Sequence, residues 1–134
     1  MWLLGVAGTA LVLLLTHRLT GGRDRRRALD DAKQALRSTF LNDIAEVANP
    51  ARLPEFYVHL ANRFPPHFAA VQELMSHLGP LGRHRLQKAW RSYGASTAEL
   101  QHRYSSAGVT HAEEKRRRAL AVERLDAIIR RADA

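Results

Sequence analysis

Apolar positions are distributed in two different ways along this chain. Over Met1 to Thr16 (MWLLGVAGTALVLLLT) they are nearly continuous, and no side chain there ionises. From Ala28 onward they recur at steps of three and four, the spacing that places one apolar stripe on a helix. Leu29, Ala32, Leu36, Phe40, Ile44 and Val47 form the first stripe, in a helix predicted over Arg25 to Ala48 that Asn49-Pro50 ends. Phe56, Tyr57, Leu60 and Phe64 form the next, in a short helix that Pro54 opens and Pro65-Pro66 stops. Phe68, Val71, Leu74, Met75 and Leu78 share the inner face of a third helix, closed by the turn Gly79-Pro80-Leu81-Gly82.

The most strongly two-faced segment is about Leu81 to Tyr93. Leu86, Ala89, Trp90 and Tyr93 fall on one side, with His84, Arg85, Lys88 and Arg91 on the other, and Gly94 supplies a C-terminal cap. Ser96 to Glu99 and Thr110 to Glu113 have capping-box spacing. They open a short helix with Leu100 and Tyr104 inward and a final one with Ala121, Leu125, Ile128 and Ala132 inward. Strand-like alternation occurs nowhere. The predicted fold is all-α: an N-terminal transmembrane helix followed by a small irregular helical bundle.

Charge decides how the first segment is read. His17 to Arg27 contains five arginines (Arg18, Arg23, Arg25, Arg26 and Arg27) against the single Asp24. An uncharged helix with such a flank reads as a single-pass anchor, N-terminus out and C-terminus cytoplasmic, here in a bacterial inner membrane. Sixteen residues span roughly 24 Å against a hydrocarbon core near 30 Å, so Trp2 in one interface and Arg18 snorkelling to the other must cover the difference. Three alternatives stay open: a secretory signal peptide, a buried core helix and a misassigned start. The signal-peptide reading is weakened because the charge follows the apolar stretch and Thr16-His17-Arg18 makes a poor cleavage site. The organisation expected is an anchor at 1–19, a basic hinge at 20–27 built around a flexible Gly21-Gly22, and a helical cytoplasmic domain at 28–134.

The remaining chemistry is sparse. The 134-residue chain has no cysteine, which excludes disulfides, thiolate metal sites and a thiol nucleophile. Glu99-x-x-His102 has the spacing of a di-iron helix, but such a site needs two such pairs and two further glutamates, and there is only one pair. Glu55/His59 and Glu73/His77 suit surface hydrogen bonds at i, i+4. No phosphate loop and no convergent nucleophile, base and acid are visible. We therefore expect no enzyme, no cofactor and no metal. The net charge of +8 favours anionic partners. The run Lys115 to Arg118 is opposed by Glu113, Glu114 and Glu123 and reads as a salt-bridged face. The face His84, Arg85, Lys88 and Arg91 has no acidic neighbour from Gly79 to Ser96 and is the candidate surface for anionic lipid or a protein partner. Nucleic acid is the less favoured partner, since no reading motif accompanies the charge.

Three stretches also carry a resemblance: Leu36-Arg37-Ser38-Thr39-Phe40, Ala70-Val71-Gln72-Glu73-Leu74 and Ala89-Trp90-Arg91-Ser92-Tyr93. Their order after an apolar N-terminus resembles a loose group of uncharacterised, membrane-anchored bacterial proteins with FRxxF, AVxxF and AWxxY patterns. Leu36, Leu74 and Leu86 stand where that group has phenylalanine. The resemblance covers about Ala28 to Tyr93 and implies an anchor and a helical domain, with no activity attached. The function expected is a membrane-anchored helical interaction or scaffold protein, and the alternative is a membrane-tethered nucleic-acid-binding domain.

Overall fold

The computed structural model describes the backbone of residues 2–134, and side chains from residue 12 onward except 14 and 19. Its first helix, α1 (Trp2–Ala48), has 47 residues and is about 70 Å long at 1.5 Å per residue. It runs without interruption through Gly21-Gly22, where a break was expected. A Cβ at either glycine would meet nothing within 4 Å, so no close approach requires glycine there. Each glycine costs a helix only about 1 kcal/mol relative to alanine, too little to interrupt one flanked by leucines and arginines. Residues 20–27, expected as a hinge, are thus helical and exposed, a stalk leading into the bundle.

Among the described residues, no helix is long and apolar enough to cross a membrane. The side chains of the anchor expected at 1–19 lie largely outside that description. Those that are described, Val12, Leu13 and Leu15, are 61%, 65% and 53% exposed. The first side chains of α1 to meet the rest of the molecule are Ala28 and Leu29, and burial begins at Ala32.

The chain turns back through Asn49–Glu55 into α2 (Phe56–His77). The Asn49 side-chain oxygen accepts from the Ala51 amide at 3.1 Å, an Asx turn that fixes the reversal. The helix starts two residues after Pro54 and continues through Pro65-Pro66, so the two helices expected here are one. Each proline removes an N–H and crowds the preceding turn. Packing on both sides overrules that local cost, with Phe56, Leu60 and Ala61 buried before the prolines and His67, Val71, Leu74 and Met75 after them.

A short turn leads to α3 (Pro80–Tyr93), which starts with proline in its first turn and ends on Gly94. Gly94 has φ +150°, and a Cβ there would come within 2.7 Å of a Leu100 methyl carbon. Glycine is thus needed both for its backbone and for its lack of a side chain. In α4 (Thr97–Tyr104) and α5 (His111–Asp133), the Ser96 and Thr110 hydroxyls accept from the Glu99 and Glu113 amides, as the capping-box spacing predicts.

The pairings fix directions. Phe40 meets His67 and Asp43 meets Arg63, so α2 runs antiparallel to α1. Val47 meets Arg118 and Arg37 meets Asp133, so α5 does the same. α1 packs on α2 and α5, and α3 closes the ring against α2 and α5. The result is an up-down four-helix bundle, with α4 lying against α2 and α5. The residues that carry the family resemblance, Leu36, Phe40, Val71, Leu74, Trp90 and Tyr93, are all in its core. Those motifs describe packing.

Candidate functional site

The exposed surface of α3 and the facing turns of α5 form a groove of about 400 Å³. From α3 it is lined by Leu81, His84, Arg85, Lys88, Ala89 and Ser92. From α5 come Arg124, Ala127 and Arg131, which step by three and four and so share one face. Leu81 is 61% exposed, the most exposed large apolar side chain of the bundle. Inward from the groove, Leu86, Trp90 and Tyr93 are buried, and Trp90 packs against Phe64 and Phe68 at centroid distances of 5.6 and 6.3 Å. The aromatic stripe is core and the basic face is surface.

Three of the four expected basic residues, His84, Arg85 and Lys88, line the groove; Arg91 lies on α3 outside it. Among the described residues, none of the four makes an ion pair, and neither does Arg131. Arg124 is held by the Tyr104 hydroxyl at 3.3 Å, and that hydroxyl donates in turn to the Tyr93 carbonyl at 2.8 Å. One wall is thereby braced against the core. The sequence reading missed Arg124 and Arg131, although the Arg124/Ala127/Arg131 periodicity was there to be read.

A second cluster was not anticipated at all. Asp43 of α1 is buried and accepts from three side chains of α2. His59 Nε2 reaches Oδ1 at 2.9 Å, Arg63 Nε reaches Oδ1 and Oδ2 at 3.2 and 2.9 Å, and His67 Nε2 reaches Oδ2 at 2.6 Å. Burial pushes the Asp43 carboxyl up, but the hydrogen bonds from His67, Arg63 and His59 outweigh it and hold it far below the usual carboxylate range. An ionised carboxylate only accepts, so both histidines present Nε2–H to it. His67 is fully buried and stacks on Phe40 at 4.4 Å. His59, Arg63 and His67 stand four residues apart and straddle Pro65-Pro66, so one carboxylate ties both halves of the proline-interrupted helix to α1. The expected Glu55/His59 pair is replaced by this contact, while His77–Glu73 forms at 3.1 Å. Among the described residues, no group of three His, Asp or Glu side chains is arranged to hold a metal ion. The Arg63 guanidinium fills the place a cation would take.

The run Lys115 to Arg118 divides. Arg116 and Arg117 pair with Glu113, as expected of a salt-bridged face. Arg118 instead turns inward and is buried. It donates to the Val47 carbonyl at 2.7 Å and the Leu53 carbonyl at 2.9 Å, lies 4.6 Å over the Phe56 ring and pairs with Glu114. It thus satisfies a carbonyl in the last turn of α1 and pins the α1–α2 connection. Both ionic clusters hold helices together; the groove is the concave charged feature of the bundle left open. Compared with protein-family models, curated proteins and solved structures, the chain finds no match.

Proposed function

We propose that this chain is a membrane-tethered helical interaction module, held by the apolar start of α1 and displaying its bundle on the cytoplasmic side. The observation that carries this reading is the projection of α1. The helix extends beyond the bundle from Ala28 toward its N-terminus, with Val12, Leu13 and Leu15 exposed and the arginines from Arg18 to Arg27 behind them. Three exposed branched apolar side chains on an unpacked helix are unfavourable in water, and each gains on the order of 1.5–3 kcal/mol on full burial. The arginine flank supports the orientation with N-terminus out. A scaffold or interaction role fits a bundle whose buried charged groups, Asp43 and Arg118, join one helix to another. A membrane-tethered nucleic-acid-binding domain is the second reading, drawing on the unpaired cations of the groove; duplex affinity falling steeply with salt would favour it.

The test uses the absence of native cysteine. The intact protein should stay in the membrane through alkaline carbonate extraction. A single cysteine added after Ala134 should be shielded from an impermeant thiol reagent until cells are lysed. Release by carbonate overturns the tether, and labelling of intact cells overturns the orientation.

A further inference from the structure

We infer that the groove between α3 and α5 is a docking site for an acidic, amphipathic helical segment of a partner protein. This rests on the reading of the bundle as an interaction module; the first two features below are independent of its membrane attachment, and the third draws on it. Three features point to that guest.

The first is charge on both walls. Arg85 and Lys88 stand on α3, Arg124 and Arg131 on α5, and His84 beside them. Among the described residues only Arg124 of these has a side-chain partner, the neutral Tyr104 hydroxyl. A guest with carboxylates along both edges would find a cation at each. Guanidinium groups give such contacts bidentate geometry.

The second is the floor. Leu81, Ala89 and Ala127 supply apolar surface, and the two alanines let a guest backbone approach closely. From Leu81 to Ser92 the α3 wall runs about 16 Å, three turns of a guest helix. The complement is a short helix with one apolar stripe between two acidic edges.

The third is distance from lipid. Under the proposed tether, the ten helical steps from Arg18 to Ala28 would hold the near end of the bundle about 15 Å from the headgroups, and the charge of an anionic membrane fades over about 8 Å. The uninterrupted Gly21-Gly22 stretch has no bend that would bring the groove down. Duplex nucleic acid fits less well, because the cations flank a concave cleft with an apolar floor. No Phe, Tyr or Trp side chain lines the cleft for stacking on single strands, and His84 alone offers a ring.

The test uses the full chain in phosphatidylcholine nanodiscs and a fluorescent peptide about four turns long, built of Glu, Leu and Ala with leucines on one stripe and glutamates on both edges. A scrambled peptide of the same composition is the comparison. The patterned peptide should bind at least about tenfold more tightly, a difference of about 1.4 kcal/mol. Lys88→Glu and Arg131→Glu should each weaken it about tenfold or more, while Arg91→Glu, the same charge change on α3 outside the groove, should stay within about twofold. All three positions are exposed, so the variants should keep the helical content of the parent; Arg85→Glu replaces either groove variant that does not. Equal loss at Arg91, no preference for the patterned peptide, or no saturable binding overturns the proposal. So does a result in which the groove variants lose affinity for phosphatidylglycerol vesicles or duplex DNA and leave peptide binding intact. Groove variants should still fractionate with membranes. A chain that binds the peptide yet is released by carbonate would overturn the tether and leave the groove standing.

Discussion

Asp43→Ala should be among the most damaging substitutions in the bundle, and the structure allows its cost to be worked out. The wild-type side chain is 5% exposed and takes hydrogen bonds from His59, Arg63 and His67. Each hydrogen bond to a charged group contributes about 1.5–3 kcal/mol net, but the three do not simply add. His59 and Arg63 keep side-chain exposures of 25% and 37% and can turn to water once the carboxylate is gone. His67 has no exposure at all, and its Nε2–H would be left unpaired against Phe40. We therefore expect a loss of about 3–5 kcal/mol, a large share of the 5–15 kcal/mol typical of a domain. The assay is urea unfolding of the full chain in mild detergent, followed by far-UV circular dichroism. At about 1–3 kcal/mol per molar urea, the midpoint should fall by about 2 M. Combining Asp43→Leu with His67→Phe removes the buried donor together with its acceptor and should recover much of the loss. The pH dependence has a definite sign. The folded carboxyl is depressed below its ordinary value of 3.8, so its contribution is complete above about pH 5 and drains away as pH falls further. Wild type and Asp43→Ala should therefore converge in stability toward low pH. A cost under about 1 kcal/mol, or a gap that stays constant with acidification, would refute the reasoning.

Arg118→Lys should cost about 1–3 kcal/mol and speed amide exchange across the Asn49–Glu55 connection, because one ammonium cannot span the Val47 and Leu53 carbonyls and lie flat over Phe56. A lysine variant with unchanged exchange would remove the pinning role. Trp90→Ala should cost about 3–5 kcal/mol by urea unfolding and Lys88→Ala under about 0.5 kcal/mol, since the first empties a packed site and the second is exposed. The reverse order would mean that the Leu86/Trp90/Tyr93 stripe faces outward.

Most of the helical architecture could be read from spacing alone. The stripes Ala32/Leu36/Phe40/Val47, Leu86/Trp90/Tyr93 and Ala121/Leu125/Ile128/Ala132 are buried as their periodicity requires. Both capping hydroxyls accept where the serine and threonine stand. The two breaks that were expected and are absent share one physical origin. Gly21-Gly22 and Pro65-Pro66 were weighted as breaks because each disfavours helix locally, whereas continuity depends on the helix as a whole. For α2 the deciding term is long-range: the buried residues on either side of the prolines, with Asp43 holding both halves. Splitting α2 also concealed the site. His59, Arg63 and His67 form one stripe only if the helix is unbroken, and neither half alone draws attention to Asp43. Arg118 was hidden differently, since nothing in Lys115 to Arg118 says which arginine will turn inward. That depends on where α5 crosses the end of α1.

The continuity of α1 bears on function as well as on fold. A flexible joint at Gly21-Gly22 would let a basic bundle settle onto anionic lipid, and the exposed face of α3 would then need no other partner. An unbroken helix changes the geometry. If the chain is tethered as proposed, that helix makes the arginine-rich stretch a spacer that would set the bundle off by a distance over which lipid charge is largely screened. Under the proposed tether, the cations between α3 and α5 would lie too far from the bilayer to be explained by it, and would need another source of negative charge. Their arrangement on two walls around an apolar floor selects a guest with the same pattern in reverse. Within the proposed tether, a straight α1 therefore strengthens the case for a protein guest, while the charge and floor of the groove argue for one whether or not the tether holds.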